Sequence, residues 1–177
     1  MSRELLLKDL EQYRSLWCLP EEHAALAQFI DFVTKNENCF ERSHVGHVTS
    51  SVWILNHAKT HVLLTHHKKL NMWIQLGGHN DGDSNCLRVA LKEAQEESGI
   101  ETLIVLKPEI FDIDIHPIPN KCAYHYDVRY VLQAPQDAQY KVSEESHDLA
   151  WVPLHEIAQV SPFRSVIRMQ EKSMRLR

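Results

Sequence analysis

Three glutamates near the middle of the chain, Glu93, Glu96 and Glu97, stand at i, i+3 and i+4 in the run Lys92-Glu93-Ala94-Gln95-Glu96-Glu97-Ser98-Gly99-Ile100. On a helix, that spacing projects all three carboxylates from one face within a single turn. Leu87, Ala90, Leu91 and Ala94 supply the other, apolar face. Like charges so placed cost roughly 0.2–0.5 kcal/mol per pair, and a divalent cation would neutralise them. Hard carboxylate oxygens on a rigid helix suit Mg2+ or Mn2+, which then hold phosphate oxygens. An E-x-x-E-E string by itself also describes a solvated helix face. This one is set apart by its frame. Gly77-Gly78 precedes it across the loop-forming His79-Asn80-Asp81-Gly82-Asp83-Ser84, and Gly99 with apolar Ile100 closes it.

Other residues offer weaker chemistry. Asp112, Asp114 and His116 alternate with Phe111, Ile113 and Ile115, and His125, Asp127 and Arg129 alternate with Tyr126, Val128 and Tyr130. On strands, each polar set shares a face. That face either meets water or forms a polar pocket for a base or sugar, with room for an added metal. Tyr126 is either a stacking surface for a base or a core residue. His79, beside the glycine pair, is placed to reach a phosphate or simply to be solvated. Cys86 falls in the first turn of the glutamate helix, where a thiol pKa can be lowered. No acid or histidine partner lies near it in sequence, so nucleophilic use is not expected. Arg164, Arg168, Lys172 and Arg175 form a basic stripe near the C-terminus. Such a stripe normally complements a helix dipole and stays solvated; an RNA-facing role is the lesser alternative.

The elements that position these residues follow from periodicity. Leu5, Leu6, Leu10, Tyr13, Leu16 and Trp17, then Leu26, Phe29, Ile30 and Val33, recur at helical spacing and predict a helical hairpin over about residues 2–35. Pro20 suits the first turn of the second helix, where Glu21 and Glu22 favour the dipole. Residues 48–55 and 61–65 flank the turn-like Asn56-His57-Ala58-Lys59 and predict a strand hairpin. A short apolar run, 72–76, leads into the glycine pair. Ser84 or Asp83 is expected to cap the glutamate helix, which runs to about Ser98. Strands are expected at 103–106, 110–116 and 126–132 and around Trp151, with a closing helix from about Pro162. Strands on both sides of one central helix, with more helix at each end, imply an α/β (α+β) sandwich.

Bulk properties bound the function. A chain of 177 residues, 44% hydrophobic and 24% charged, fits one ordinary domain with a small appendage. No apolar run approaches the ~18–20 residues needed to cross a bilayer, and the charged N-terminus lacks a signal-peptide core. A soluble, cytoplasmic protein is expected. Cys18, Cys39, Cys86 and Cys122 show no zinc-ligand spacing and read as reduced thiols. The net charge of −5 argues against a general nucleic-acid coat.

The segment from Gly78 to Ile100 resembles the Nudix box, written G-x5-E-x7-R-E-U-x-E-E-x-G-U with U apolar. Gly78, Glu93, Ala94, Glu96, Glu97, Gly99 and Ile100 stand in register, while Ser84 replaces the first Glu and Lys92 the Arg. In the family, that Glu and Arg mainly brace the loop–helix unit, so the departures bear on loop geometry more than on metal. Asp83 could stand in for the missing carboxylate. Trp73–His79, Pro108–Asp112, His116–Pro119, Glu144–Leu149 and the N-terminal hairpin resemble one bacterial subgroup of these hydrolases.

The resemblance implies a Nudix-type α/β/α sandwich with a mixed sheet over residues 41–177, and a helical extension over 1–40. It implies Mg2+-dependent hydrolysis of a nucleoside diphosphate linked to some group X, by metal-assisted attack of water on phosphorus; Mn2+ is the alternative ion. By position, Glu93, Glu96 and Glu97 should ligate metal, with the Gly77 carbonyl as an additional ligand. Glu93 and Glu97 would be catalytic, and Glu145, with Glu144 beside it, is a candidate distant base. His79, Lys92 and Tyr126 are candidates for substrate contact. The implied partner is a small nucleotide-like diphosphate, with no membrane, no nucleic acid and an open choice between monomer and homodimer. The first rival is a Nudix-fold nucleotide-binding or regulatory module without turnover. The second, the isopentenyl diphosphate isomerase branch, lacks its cysteine and histidine signatures here.

Overall fold

The computed structural model describes residues 3–43, 45–118, 123–144 and 146–176. The helical hairpin forms as α1 (Arg3–Leu16) and α2 (His23–Lys35). Pro20 sits in a separate 3-10 turn, Pro20–Glu22, ahead of α2 rather than inside it. Glu22 does not face the solvent as a dipole charge would. Its Oε2 accepts from the Leu19 amide and its other oxygen from the Tyr13 hydroxyl, and the residue is buried.

Among the described residues, seven strands make one mixed sheet: β1 (Gly46–Leu55), β2 (His61–His67), β3 (Met72–Ile74), β4 (Leu76–His79), β5 (Ile104–Pro117), β6 (Tyr124–Gln133) and β7 (Ser146–Pro153). The main path runs β3-β2-β1-β6-β5, with β4 paired to the middle of β1 and β7 to β2. The parallel pair is β1–β6, in register from Gly46 beside Tyr124 to Leu55 beside Gln133. Every other pairing is antiparallel. The two strands expected at 103–106 and 110–116 are one long strand, β5, whose register against β6 shifts between Val105 and Asp112.

Helices cover both faces. Alternate β1 residues Val48, Val52 and Ile54 join Ala90 and Ala94 of α3 (Cys86–Ser98) in one core, which also takes Leu6, Leu10 and Phe29 from the hairpin. The hairpin therefore shares its apolar interior with the sheet. The other face packs Trp53 and Leu55 against Ile157 of α4 (Ile157–Val160) and Val166 and Met169 of α5 (Arg164–Ser173). The result is an α/β/α sandwich. No helix among the described residues is long and apolar enough to cross a membrane.

Candidate functional site

The glutamate helix is set by its ends. Asn85, not Ser84 or Asp83, is the N-cap: its side chain accepts from the Arg88 amide. Asp83 acts one step earlier. It accepts the Asn85 amide at 2.8 Å and a two-pronged pair from Arg88 at 2.8 and 3.0 Å. A carboxylate thus does brace the loop–helix junction, one residue from where the box would place it, with Arg88 as its cation. Asn80 ties the loop to the sheet, accepting from the Ser50 hydroxyl and donating to the Asp83 carbonyl. Gly99 ends the helix in the left-handed region at φ 69°, its amide bonded to the Gln95 carbonyl.

With the helix so fixed, its carboxylates meet β4. The Gly77 amide donates to Glu97 Oε2 at 2.9 Å, and Glu97 is buried. The Glu93 carboxyl lies against Gly78 so closely that a Cβ there would sit 2.5 Å from its carbon. This explains Gly78 physically: its backbone approaches a carboxylate where a side chain would collide. Gly77 also has φ +152°, and a Cβ on it would meet the backbone of Ser50 and Ser51 at 2.5–2.7 Å. Glu96 is exposed and pairs with Lys92 at 3.2 Å; the Lys92 ammonium is 4.0 Å from Glu93. Lys92, a candidate for substrate contact, thus directs its charge at the acids of its own helix.

The other expected residues scatter. Tyr126 is buried under the hairpin, stacked on Phe32 with ring centroids 3.7 Å apart and edge-on to Phe29. It packs core rather than standing ready for a base. Glu145 lies outside the described residues, while Glu144 is exposed and its carbonyl accepts from Lys68. Cys86 does not have the lowered pKa its place in the first turn suggested. Burial dominates the helix-end effect and pushes the thiol up to about 12.

The polar strand face is neither simply wet nor simply a pocket. Register places Asp112 opposite Arg129, Asp114 opposite Asp127 and His116 opposite His125. Towards α5 it is a buried ion network. Asp112, with no exposed surface, accepts from Arg129, Arg168 and Lys172 at 2.6–3.2 Å. Lys172 also reaches Glu22 at 2.9 Å. Half of the C-terminal basic stripe is thus not solvated: Arg168 and Lys172, one turn apart, point inward onto Asp112. Desolvation opposes the ionised Asp112, but the hydrogen bond from Arg168 and the charge of Lys172 hold its pKa below the usual carboxylate range. Asp127 accepts from Thr49, Ser51 and Arg129, each at 2.8 Å.

At its other end the same face carries histidines. His79 Nε2 lies 3.3 Å from His125 Nε2, and His47 is beside both. Burial, and then neighbouring His116, His47 and His79, pull the His125 pKa down to about 3. Sequence reasoning missed His47. Its signal was alternation with Thr49 and Ser51, but only the parallel β1–β6 pairing brings it to His125.

Known proteins share this architecture. An Ap4A hydrolase of C. elegans, solved as a binary complex, superposes with a TM-score of 0.65 at 16% identity, covering 73% of this chain and 96% of that one. A NUDIX-family hydrolase of Clostridium perfringens gives 0.61 at 21% identity, covering 74% and 98%. The NUDIX domain of Shewanella oneidensis NrtR, solved with ADP ribose, gives 0.57 at 14% identity, covering 83% and 97%. In sequence, the asymmetrical bis(5'-nucleosyl)-tetraphosphatase of Rattus norvegicus is 27% identical over 97 residues, 55% of this chain. The match spans 66% of the rat protein, just short of two thirds. The model of the NUDIX domain matches residues 46–170, well over half of the 177, so the chain belongs to the Nudix family.

Proposed function

We propose that the protein hydrolyses the diphosphate linkage of a small nucleotide-like compound, with Mg2+ as the working ion and Mn2+ as the alternative. The observation that carries this reading is the seating of two box carboxylates on the glycine pair, Glu97 on the Gly77 amide and Glu93 against Gly78. Glu93, Glu96 and Glu97, with the Gly77 carbonyl, are the oxygen donors that would hold the ion, and a hard cation suits such a set. Bound there, it supplies charge neutralisation on phosphate oxygens and a water of lowered pKa.

The chain's own contributions are positional. Gly77 fixes the Glu97 carboxylate, so its second oxygen has a defined direction. Asp83 and Arg88 stiffen the loop that leads into α3, the task given in the box pattern to the Glu and Arg that Ser84 and Lys92 replace. Lys92 balances Glu96 and is the candidate cation for a phosphate oxygen of the substrate. Glu93, only partly exposed, is the first candidate to take the proton of the attacking water, and Glu145 the second.

The rat relative's name makes dinucleoside tetraphosphates the first substrates to try, beside ADP-ribose and nucleoside triphosphates. The experiment is phosphate release or product chromatography across that panel with Mg2+, for wild type and Glu97→Gln. Turnover of one class that disappears in Glu97→Gln is the expected result, and turnover that survives the substitution unchanged sinks the reading. Ser84 and Lys92 favour one rival, a nucleotide-binding module without turnover. That rival predicts ligands that raise the melting temperature of the wild type yet are recovered intact.

A further inference from the structure

Three imidazoles converge on the sheet face opposite α3, away from the box glutamates' helix. His47, His79 and His125 each offer a ring nitrogen, and these atoms all lie within 4.8 Å of one another. The convergence is built by the sheet. His125 sits beside His47 in the parallel β1–β6 register, and His79 is opposite Thr49 in the antiparallel β1–β4 pair. Neighbours in register share a face, and so do residues two apart on one strand. Three adjacent strands therefore deliver one histidine each to one spot. His47 is buried and the other two are partly exposed, which leaves the cluster approachable from one side.

One spacing in the cluster is that of a tetrahedral ion. Metal–imidazole bonds of about 2.0–2.1 Å at tetrahedral angles separate the two nitrogens by about 3.3–3.4 Å, and His79 Nε2 and His125 Nε2 are 3.3 Å apart. The outer contacts fix the tautomer. Asp114 Oδ2 accepts from His116 Nδ1 at 3.0 Å, and His116 Nε2 lies 3.2 Å from His125 Nδ1. Asp114 is itself held by Arg129 at 3.1 Å. A carboxylate can only accept, so His116 carries a proton on Nδ1, and in the neutral imidazole its Nε2 accepts in turn. His125 then carries its proton on Nδ1 and turns a lone pair on Nε2 towards His79. Such a carboxylate–histidine–histidine chain is the outer support that metal-binding imidazoles use.

We infer that His47, His79 and His125 form a second, nitrogen-ligated metal site for a transition-metal ion of the Zn2+ class, supported by His116 and Asp114 and distinct from the glutamate site. Imidazole donors select Zn2+, Co2+ or Ni2+ over Mg2+, which prefers oxygen. Three protein ligands leave a fourth position, facing the partly exposed side, for water or an anionic group.

The test is Co2+ titration followed by its visible absorption, with Zn2+ competition, in the presence of excess Mg2+. The proteins are wild type, Glu97→Gln, His79→Asn, His125→Asn and His116→Gln, each checked for folding by circular dichroism. Wild type and Glu97→Gln should bind one Co2+ with the intense absorption of a tetrahedral ion. His79→Asn and His125→Asn should bind at least about 100-fold more weakly, and His116→Gln about 10-fold more weakly. His79 and His125 are both partly exposed, so their replacements carry less risk of a folding artefact than one at buried His47. Absence of tetrahedral absorption in the wild type, or binding lost in Glu97→Gln and kept in folded His79→Asn, overturns the inference.

Discussion

Gly78→Ala separates position from stability at the glutamate site. The Cβ it adds would stand 2.5 Å from both the carboxyl carbon and Oε2 of Glu93, and 3.0 Å from Oε1. Restoring ordinary contact at 3.4 Å demands a retreat of about 0.9 Å by the carboxylate. A misplacement of about 1 Å at a reacting centre costs on the order of 100-fold in rate, or about 2.7 kcal/mol of activation free energy. The fold should hardly notice. Gly78 is not among the glycines of positive φ, and what must yield is the far end of a side chain. The smaller unfolded-state entropy of alanine, about 0.4–1 kcal/mol, offsets much of that rearrangement. The expected outcome is kcat/KM down about 100-fold with urea-unfolding free energy within about 1 kcal/mol of wild type. Gly77→Ala is the contrast: at φ +152° its Cβ strikes the backbone of Ser50 and Ser51, so it should lose about 2 kcal/mol or more of stability. Activity of Gly78→Ala within about threefold of wild type would refute the reasoning, because the Glu93 position would then not matter to the rate. So would a stability loss as large as that of Gly77→Ala.

Three more outcomes rest on burial and charge. Asp112→Asn leaves Arg129, Arg168 and Lys172 short of a fully buried anion and should cost about 3–5 kcal/mol in urea unfolding; a cost below about 1 kcal/mol would mean the three cations find other partners. Asp112 and Asp114 have pKa values held below their unfolded value, against desolvation, by Arg168, Lys172 and Arg129. Their stabilisation is therefore complete above the ordinary carboxylate pKa of about 4 and is lost as pH falls below it, and an Asp112→Asn protein melted across pH 2–6 with an undiminished acid slope would contradict this. Cys39 and Cys86 are buried, with pKa values pushed up to about 11 and 12, whereas Cys18 is partly exposed. Brief alkylation of native protein, mapped by mass spectrometry, should label Cys18 well before either; early labelling of Cys86 would show that the start of α3 opens locally.

What could be read from the sequence was what is local in it. The glutamate turn, its closing Gly99 and the Gly77-Gly78 approach lie within 24 consecutive residues, where periodicity and turn chemistry suffice. The β1–β2 hairpin was legible for the same reason. The helix cap was misplaced to Ser84 or Asp83 because Asp83, Ser84 and Asn85 are all good capping types, and only geometry chooses among them. The burial of Arg168 and Lys172 was hidden by their resemblance to a solvated stripe: i, i+4 spacing says that they share a face but not what that face meets. Likewise, alternation put His125, Asp127 and Arg129 on one face of a strand, while the pairing that adds His47 joins segments 78 residues apart. No periodicity encodes that distance.

The two halves of the polar strand face are mechanically linked, and this gives the buried charges a reason. A fully buried ion network is a poor source of net stability, since well-packed apolar side chains of similar volume often do as well or better. What it supplies is direction. Arg129, nearly without exposed surface, is fixed by Asp112 on one side and donates to Asp127 and Asp114 on the other. Asp114 orients His116, which orients His125, and Asp127 accepts from Thr49 and Ser51 of the strand that carries His47. Arg168 and Lys172 of α5, with Glu22 from the turn before α2, close the network from outside the sheet. An apolar core could fill the same volume, but it has no donors with which to set an imidazole's tautomer or hold a carboxylate ionised. Elements from both ends of the chain thus converge on β5 and β6 where the histidine cluster needs a rigid support.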